Sequence, residues 1–204
     1  SHRGELDAAL DSVGLPAIVK TDRMGYDGKG QVRLSGGENR DQAWHDLGRQ
    51  PSIAEGFVRF AAEFSVILVR GWDGEIRYWD STHNVHRDGI LDTSTLPAGS
   101  LIEGQVDSAR AMARSIAEAL DYVGVLTCEF FATDDGPVFN EMAPRVHNSG
   151  HWSIEGAVTS QFENHMRAVA GLPLGDTRTI AAGVEMRNLI GDAAQDLSAL
   201  LSNP

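Results

Sequence analysis

Residues 123–142 read VGVLTCEFFATDDGPVFNEM, two extended runs on either side of Asp134-Asp135-Gly136. Val, Phe and Thr favour strands, and an acidic pair followed by glycine favours a tight turn, so the stretch predicts a β-hairpin. With the hairpin centred on Asp135, Glu129 and Glu141 oppose each other, because each lies six residues from the centre. Directly opposed residues share one face with Cβ atoms about 4.5–5.5 Å apart, and like charges there are destabilising unless something compensates. A divalent cation is the natural compensation, since Mg²⁺ takes one or two carboxylates and completes its shell with phosphate oxygens and water. A register different by one residue would instead put the two glutamates on opposite faces. The flanking Leu126, Phe130, Phe131, Val138 and Phe139 are apolar, which argues against two merely solvated carboxylates.

Working outward, the chain predicts a helix over Glu5–Val13, closed by Gly14, and strands over Pro16–Thr21 and Gln31–Leu34. A helix near Asp41–Leu47 and a short strand at Ser52–Phe57 follow. A second hairpin spans Glu63–Tyr78 and turns at Trp72-Asp73-Gly74. Val106–Tyr122 carries Ala109, Met112, Ile116, Ala119 and Leu120 as one helical stripe, which reads as core. The stretch Ala143–His151 is irregular, and a helix is expected over Ser153–Ala170, ended by Gly171-Leu172-Pro173. Strands joined mainly to sequence neighbours, with helices between them, predict an α+β fold with antiparallel sheets.

At 204 residues the chain holds one large domain or two small ones. A formal net charge of −12 lacks the basic footprint of non-specific nucleic-acid binding, although one local cluster of cations suffices for a nucleotide. The longest apolar run, Phe64–Val69, is far short of a membrane span, and no signal peptide is read, so a soluble, cytoplasmic protein is expected. The single Cys128 excludes an intrachain disulfide and sits in an apolar strand pattern, as a small buried hydrophobe would. Ser1-His2 without an initiator Met leads us to expect a piece of a longer protein.

Three other groups invite a chemical reading. Residues 23–31, RMGYDGKGQ, place Gly25, Gly28 and Gly30 around Tyr26, Asp27 and Lys29. Neither a Walker loop nor a dinucleotide fingerprint fits, because Gly30 is followed by Gln31 and a strand rather than by Ser/Thr and a helix. A plain turn and a phosphate cradle of backbone N–H groups and lysines both stay open. His147 and His151 are four apart, a zinc spacing on a helix, but Ser149 and Gly150 between them and Pro144 before them make a helix doubtful there. His83 and His86 are read as ligands or as loop residues that contact substrate, and His45 as structural. No nucleophilic triad is read: Ser149 lacks a strand-to-helix elbow, and Ser65 sits within a strand.

Taken together, Ala17-Ile18-Val19-Lys20-Thr21, Gly25-Tyr26-Asp27-Gly28-Lys29-Gly30-Gln31, His83-Asn84-Val85-His86 with Asp88-Gly89-Ile90-Leu91, and the run from Asn140 to Trp152 (NEMAPRVHNSGHW) resemble the 5-(carboxyamino)imidazole ribonucleotide synthase family of ATP-grasp enzymes. The resemblance runs from about residue 5 to 191. It implies an ATP-grasp fold of two α+β lobes with antiparallel sheets that hold the nucleotide between them. The lobes would be 1–62 and 63–175, with 176–204 the start of a truncated C-terminal domain and the family's N-terminal domain absent.

By the same resemblance ATP is bound by Lys20, the lid Gly25, Tyr26, Asp27, Gly28, Lys29, Gly30 and Gln31, the hinge Glu55, Gly56, Phe57 and Val58, then Glu63, His86, Asn140 and Glu141. Glu129 and Glu141 hold Mg²⁺ or Mn²⁺. Arg145, His147, Asn148, Ser149 and His151 face aminoimidazole ribonucleotide and bicarbonate, and Tyr26, Asp27, Lys29 and Arg145 are the catalytic set, with Asp27 a general base. The implied reaction is ATP-dependent carboxylation of aminoimidazole ribonucleotide through carboxyphosphate, in a protein that is a homodimer at full length. Ala143 stands where other ATP-grasp branches carry Asn, which favours this family over its relatives. Asp22 replaces a basic residue common before the lid, and Arg23 is the substitute. The competing readings are another ATP-grasp ligase, of the glycinamide ribonucleotide transformylase or biotin carboxylase type, and a non-catalytic nucleotide-binding module.

Overall fold

The computed structural model describes residues 3–22, 30–36, 40–191 and 202. The chain divides into two compact units, Ser1–Arg59 with Asp88–Ile90 and Phe60–Arg87 with Leu91–Pro204.

The first unit contains α1 (Arg3–Val13), β1 (Ala17–Thr21), β2 (Gln31–Leu34), α2 (Arg40–Asp46) and β3 (Ser52–Gly56). Gly14 ends α1 with φ 77°, its N–H bonded to the Leu10 carbonyl at 2.9 Å, a left-handed cap that glycine adopts without Cβ strain. β1 is the central strand, antiparallel to both β2 and β3. Leu6 and Leu10 of α1, Ala17 and Val19 of β1, Leu34 of β2, and Ala43 and Leu47 form one buried cluster. Arg40 joins the two helices through Asp7 at 2.9 Å and Asp11 at 3.3 Å.

The second unit is built on a seven-stranded sheet. Its elements are β4 (Ala62–Arg70), β5 (Ile76–Tyr78), β6 (His83–Arg87), β7 (Ile90–Leu96), α3 (Ser100–Glu103), α4 (Val106–Ala119), β8 (Gly124–Thr133), β9 (Gly136–Ala143), α5 (Ser153–Gly156), α6 (Gln161–Val169) and β10 (Val184–Arg187). The strand order is β10-β7-β6-β4-β8-β9, with β5 on β4. β4 and β8 read as apolar runs because both their faces are covered. Phe64, Val66 and Leu68 pack with Leu126, Cys128 and Phe130 against Ala109, Ala113 and Ala117 of α4. On the other face Ile67, Val69 and Val125 pack with Trp79, Trp152 and Ala168 of α6. Full burial of such aliphatic side chains stabilises by about 1.5–3 kcal/mol each, so these two layers fix where the sheet sits.

Two local expectations are corrected. The helix expected over Ser153–Ala170 is two helices, because Ala157 is extended (φ −123°, ψ 159°). The segment pairs instead with a distant stretch: Val158 N–H donates to the Arg178 carbonyl at 3.0 Å, and Ile180 N–H to that of Gly156 at 2.9 Å. Ser160 then restarts the helix as an N-cap, accepting from the Glu163 N–H at 3.2 Å. The second correction concerns His83 and His86, which lie on strand β6 and not in a loop. Asp88 (φ 51°) and Gly89 (φ 78°) supply the two positive φ angles of a hairpin turn between β6 and β7. β6 lacks apolar alternation because the side chain it buries is Asn84, in a polar network, so hydropathy carries no strand signal there.

Candidate functional site

The β8–β9 hairpin closes on a two-residue turn, Asp134-Asp135, with Thr133 opposite Gly136 (φ 115°). Thr133 Oγ1 donates to the Gly136 carbonyl at 2.8 Å and accepts from the Asp135 N–H at 3.2 Å. From there Ala132 pairs with Pro137, Phe131 with Val138 and Phe130 with Phe139. Continued regularly, this ladder would put Asn140 opposite Glu129. A bulge after Phe139 takes up one residue, and Glu129 faces Glu141. The turn centre used in the sequence reading is therefore half a residue off, and the bulge restores the pairing. A bulge of this kind inserts one residue and changes which face the following side chains occupy. Phe139 lies against Phe130 on the α4 side, with ring centroids 5.9 Å apart, while Glu141 joins Glu129 on the opposite face.

Glu129 stands between Glu141 on β9 and Ser65 on β4, and its side chain is only 12% exposed. Burial, and then the negative charge of Glu141, push its carboxyl up to about 7; His86 and Arg145 oppose that rise. His147 places Nε2 3.1 Å from Glu129 Oε1. Burial first, then the neighbouring positive groups Arg145, His151 and His86, hold His147 down at about 4. This contact is therefore a neutral imidazole against a carboxyl, not an ion pair. His86 is the histidine driven toward its cation: its Nδ1 lies 2.9 Å from Glu63 Oε2, and that pairing, then the charges of Glu63, Glu129 and Glu141, raise its pKa against the cost of burial.

The donor set fits a hard divalent cation. Two opposed carboxylates on one sheet face supply oxygen ligands and a charge that the protein leaves only partly balanced. Among the described residues no group of three or more His, Cys, Asp or Glu is disposed to hold a metal ion by itself. A cation at this pair would take its remaining ligands from water or phosphate.

The segment after β9 wraps this face. Asn148–Gly150 form a 3₁₀ turn with His147 as N-cap. Arg145 Nη1 donates to the Val146 carbonyl at 2.9 Å, and Asn148 Oδ1 is buried with no hydrogen-bond partner among the described residues. His151 lies beside Phe162, ring centroids 5.5 Å apart, so the two histidines four apart engage different partners. Ser149, expected to face a substrate, is fully buried, its hydroxyl 2.9 Å from both His147 Nδ1 and Ser65 Oγ.

Within the first unit, Lys20 Nζ lies 2.7 Å from Glu55 Oε2. Lys20 pairs with Ile53 and Ile18 with Glu55, so the ion pair spans a diagonal of the β1–β3 ladder. Gly30 (φ 73°) and Gln31 return the chain to β1, where the Gly30 carbonyl accepts from the Thr21 N–H at 2.8 Å. Gly56 opposes Ala17, Phe57 N–H donates to the Pro16 carbonyl at 3.0 Å, and Arg33 covers the Phe57 ring at 4.2 Å. Gly25, Tyr26, Asp27, Gly28 and Lys29 lie outside the described residues.

The structure thus brings Glu63, His86, Glu129, Glu141, Arg145 and His147 into one electrostatic cluster. It adds residues to which the sequence reading gave no role in the site: Ser65, Asn84 and Gln161, all buried. Ser65 carried a usable signal, a lone hydroxyl inside the apolar run Phe64–Val69 that must find a buried partner. Gln161 carried none, since it reads as an ordinary polar residue inside the helix expected over Ser153–Ala170.

The ATP-grasp domain family pattern matches residues 1–162. The chain is 50% identical over 191 residues to the N5-carboxyaminoimidazole ribonucleotide synthase of Pseudomonas aeruginosa, covering 93% of this chain and 51% of that protein. It superposes with a TM-score of 0.84 and 49% identity on the crystal structure of N5-carboxyaminoimidazole ribonucleotide synthetase from Thermus thermophilus, over 93% of this chain and 51% of that one. The Aspergillus clavatus N5-carboxyaminoimidazole synthase, solved in complex with ADP and 5-aminoimidazole ribonucleotide, gives a TM-score of 0.88 at 30% identity, over 100% of this chain and 55% of that one. The chain spans about half the length of the curated relatives it matches.

Proposed function

Because this chain belongs to the ATP-grasp family, we propose that it forms the nucleotide- and metal-binding part of an enzyme that carboxylates 5-aminoimidazole ribonucleotide with ATP and bicarbonate. The products are N5-carboxyaminoimidazole ribonucleotide, ADP and phosphate, a step of de novo purine synthesis. The observation that carries this reading is the opposed Glu129–Glu141 pair, with Glu129 raised to about 7. Its setting, a chain half identical to a protein named for that product, supports the choice of acceptor.

A bicarbonate oxygen attacks the γ-phosphorus of ATP, the bond to the bridging oxygen breaks, and ADP leaves. The exocyclic amine of the ribonucleotide then bonds to the carboxyl carbon of carboxyphosphate, or to the CO₂ it releases, as phosphate departs and the amine loses a proton. Asp27 is the acceptor of that proton. Phosphoryl transfer of this kind needs positioning and charge stabilisation more than covalent catalysis. Mg²⁺ or Mn²⁺ held by Glu129 and Glu141 would neutralise charge on the phosphate oxygens.

Lys20, Gln31, Glu55 to Val58, Glu63, His86 and Asn140 bind the nucleotide, and Gly25 to Gly30 close over it to keep water from the labile intermediate. Arg145, Asn148 and His151 face the acceptor and bicarbonate. The division into lobes 1–62 and 63–175, with 176–204 leading into a further domain, and a homodimeric, cytoplasmic parent protein complete the reading. The test is ADP production by the protein that contains this chain, with and without aminoimidazole ribonucleotide. Turnover that depends on the ribonucleotide is expected, and ATP hydrolysis indifferent to it would overturn the assignment.

A further inference from the structure

A polar chain, partly exposed at Glu129 and His147 and buried from Ser149 onward, runs through the second unit behind the glutamate pair. Glu129 Oε1 meets His147 Nε2 at 3.1 Å, and His147 Nδ1 meets Ser149 Oγ at 2.9 Å. Ser149 Oγ lies 2.9 Å from Ser65 Oγ, which accepts from Asn84 Nδ2 at 2.7 Å. Asn84 Oδ1 in turn accepts from Thr82 Oγ1 at 2.9 Å and from Ser94 Oγ at 2.8 Å. The backbone of His147 is clamped separately: its N–H donates to Gln161 Oε1 at 2.9 Å, and its carbonyl accepts from Gln161 Nε2 at 2.6 Å. Gln161 has no room to swing, because even a methyl group at Gly150 would come within 2.6 Å of its Oε1.

Carboxylate, imidazole and hydroxyl in line is the order of a hydrolase triad, but Ser149 is 0% exposed and no substrate carbon could reach its oxygen. The chain has a different use. An imidazole has one N–H and one lone pair when neutral, so whatever occupies Nδ1 decides what Nε2 offers to Glu129. Nδ1 accepts from the Ser149 backbone N–H at 3.4 Å, which cannot reverse its polarity. The Ser149 hydroxyl has one hydrogen, which either goes to Ser65 Oγ or, if the Ser65 hydroxyl donates to Ser149 instead, turns to Nδ1. With Nδ1 an acceptor, Nε2 carries the hydrogen and donates it to the carboxylate.

We propose that Ser149, Ser65 and Gln161 are positioning residues that hold His147 as its Nε2–H tautomer, so that it pins one Glu129 oxygen and leaves the other for a divalent cation. The cation part of this inference rests on the reading of the glutamate pair given above. Partners behind metal ligands commonly carry this function, and their loss typically weakens metal affinity by 10–100-fold.

Histidine-selective ¹⁵N spectra of the chain, at a pH above the Glu129 range near 7, report the tautomer directly. The His147 signal, assigned by its loss in His147→Gln, is expected to show hydrogen on Nε2 only; hydrogen on Nδ1 in the wild type would overturn the proposal without any further variant. In Ser149→Ala, folded by circular dichroism, Nδ1 keeps only the long 3.4 Å backbone contact, and in Ser65→Ala the Ser149 hydroxyl loses the donor that frees its hydrogen for Nδ1; in both, some Nδ1–H tautomer should appear and Mn²⁺ should bind roughly 10-fold more weakly. Unchanged Mn²⁺ affinity in both folded variants would also overturn it. If Glu129→Gln leaves Mn²⁺ binding intact, the metal reading of the pair falls, and the tautomer measurement still decides the positioning role.

Discussion

Glu129 is a carboxyl that the fold makes costly to ionise, its pKa raised by burial and by Glu141 from 4.5 to about 7. Between those values the folded chain keeps a proton that the unfolded chain has released, so this residue's contribution to stability falls as pH rises through the window. His147 works in the opposite sense: lowered from 6.5 to about 4, its contribution is present above 6.5 and lost as pH falls toward 4. The two trends overlap, so the informative quantity is the difference between wild type and Glu129→Gln. In metal-free denaturation, Glu129→Gln should gain stability relative to wild type as pH rises from about 4.5 to about 7. Parallel pH profiles would mean that Glu129 titrates normally. Mg²⁺ should stabilise the wild type and not the variant, because a cation favours the ionised pair.

At the level of elements, the site depends on a bulge and a cap. Asn140 is the residue taken up between Phe139 and Glu141. Deleting it lets the regular ladder continue, and Glu141 then falls opposite Glu129 without a bulge. Divalent-ion binding should survive this deletion and fail in Glu141→Gln; if the deletion also abolishes it, the bulge itself shapes the site beyond setting register. Ser160 starts α6, the helix that carries Gln161, by accepting from the Glu163 N–H at 3.2 Å. Ser160→Ala should lower the denaturation free energy by about 1 kcal/mol, read from the midpoint shift at constant slope. Both features also mark where sequence reasoning stopped. Turn residues and alternation identify a hairpin, but a half-residue difference in its centre is invisible until the ladder is seen. The polar strand β6 was missed for a related reason, since Asn84 is buried against hydroxyls and produces no apolar period.

For the whole molecule, a nucleotide that binds only the folded chain must stabilise it by mass action, by about 2.7 kcal/mol at a hundredfold excess over its dissociation constant. A non-hydrolysable ATP analogue with Mg²⁺ should therefore raise the thermal midpoint of the wild type. The same analogue should lose most of that effect in Glu129→Gln and Glu141→Gln, measured by calorimetry at matched concentrations. An equal shift in all three proteins would remove the glutamates from nucleotide binding. The sequence alone was enough to place β1 to β5 and the β8–β9 hairpin, the family, and the two glutamates on that hairpin, because periodicity, turn chemistry and ordered motifs are local in the chain. Only the tertiary structure decided that Ala157 leaves the helix to pair with Thr179, that Ser149 is buried, and that Ser65, Asn84 and Gln161 stand behind His147. Those outcomes depend on which distant groups satisfy a buried donor or acceptor, and a buried polar group takes whatever partner the packing brings within hydrogen-bond reach.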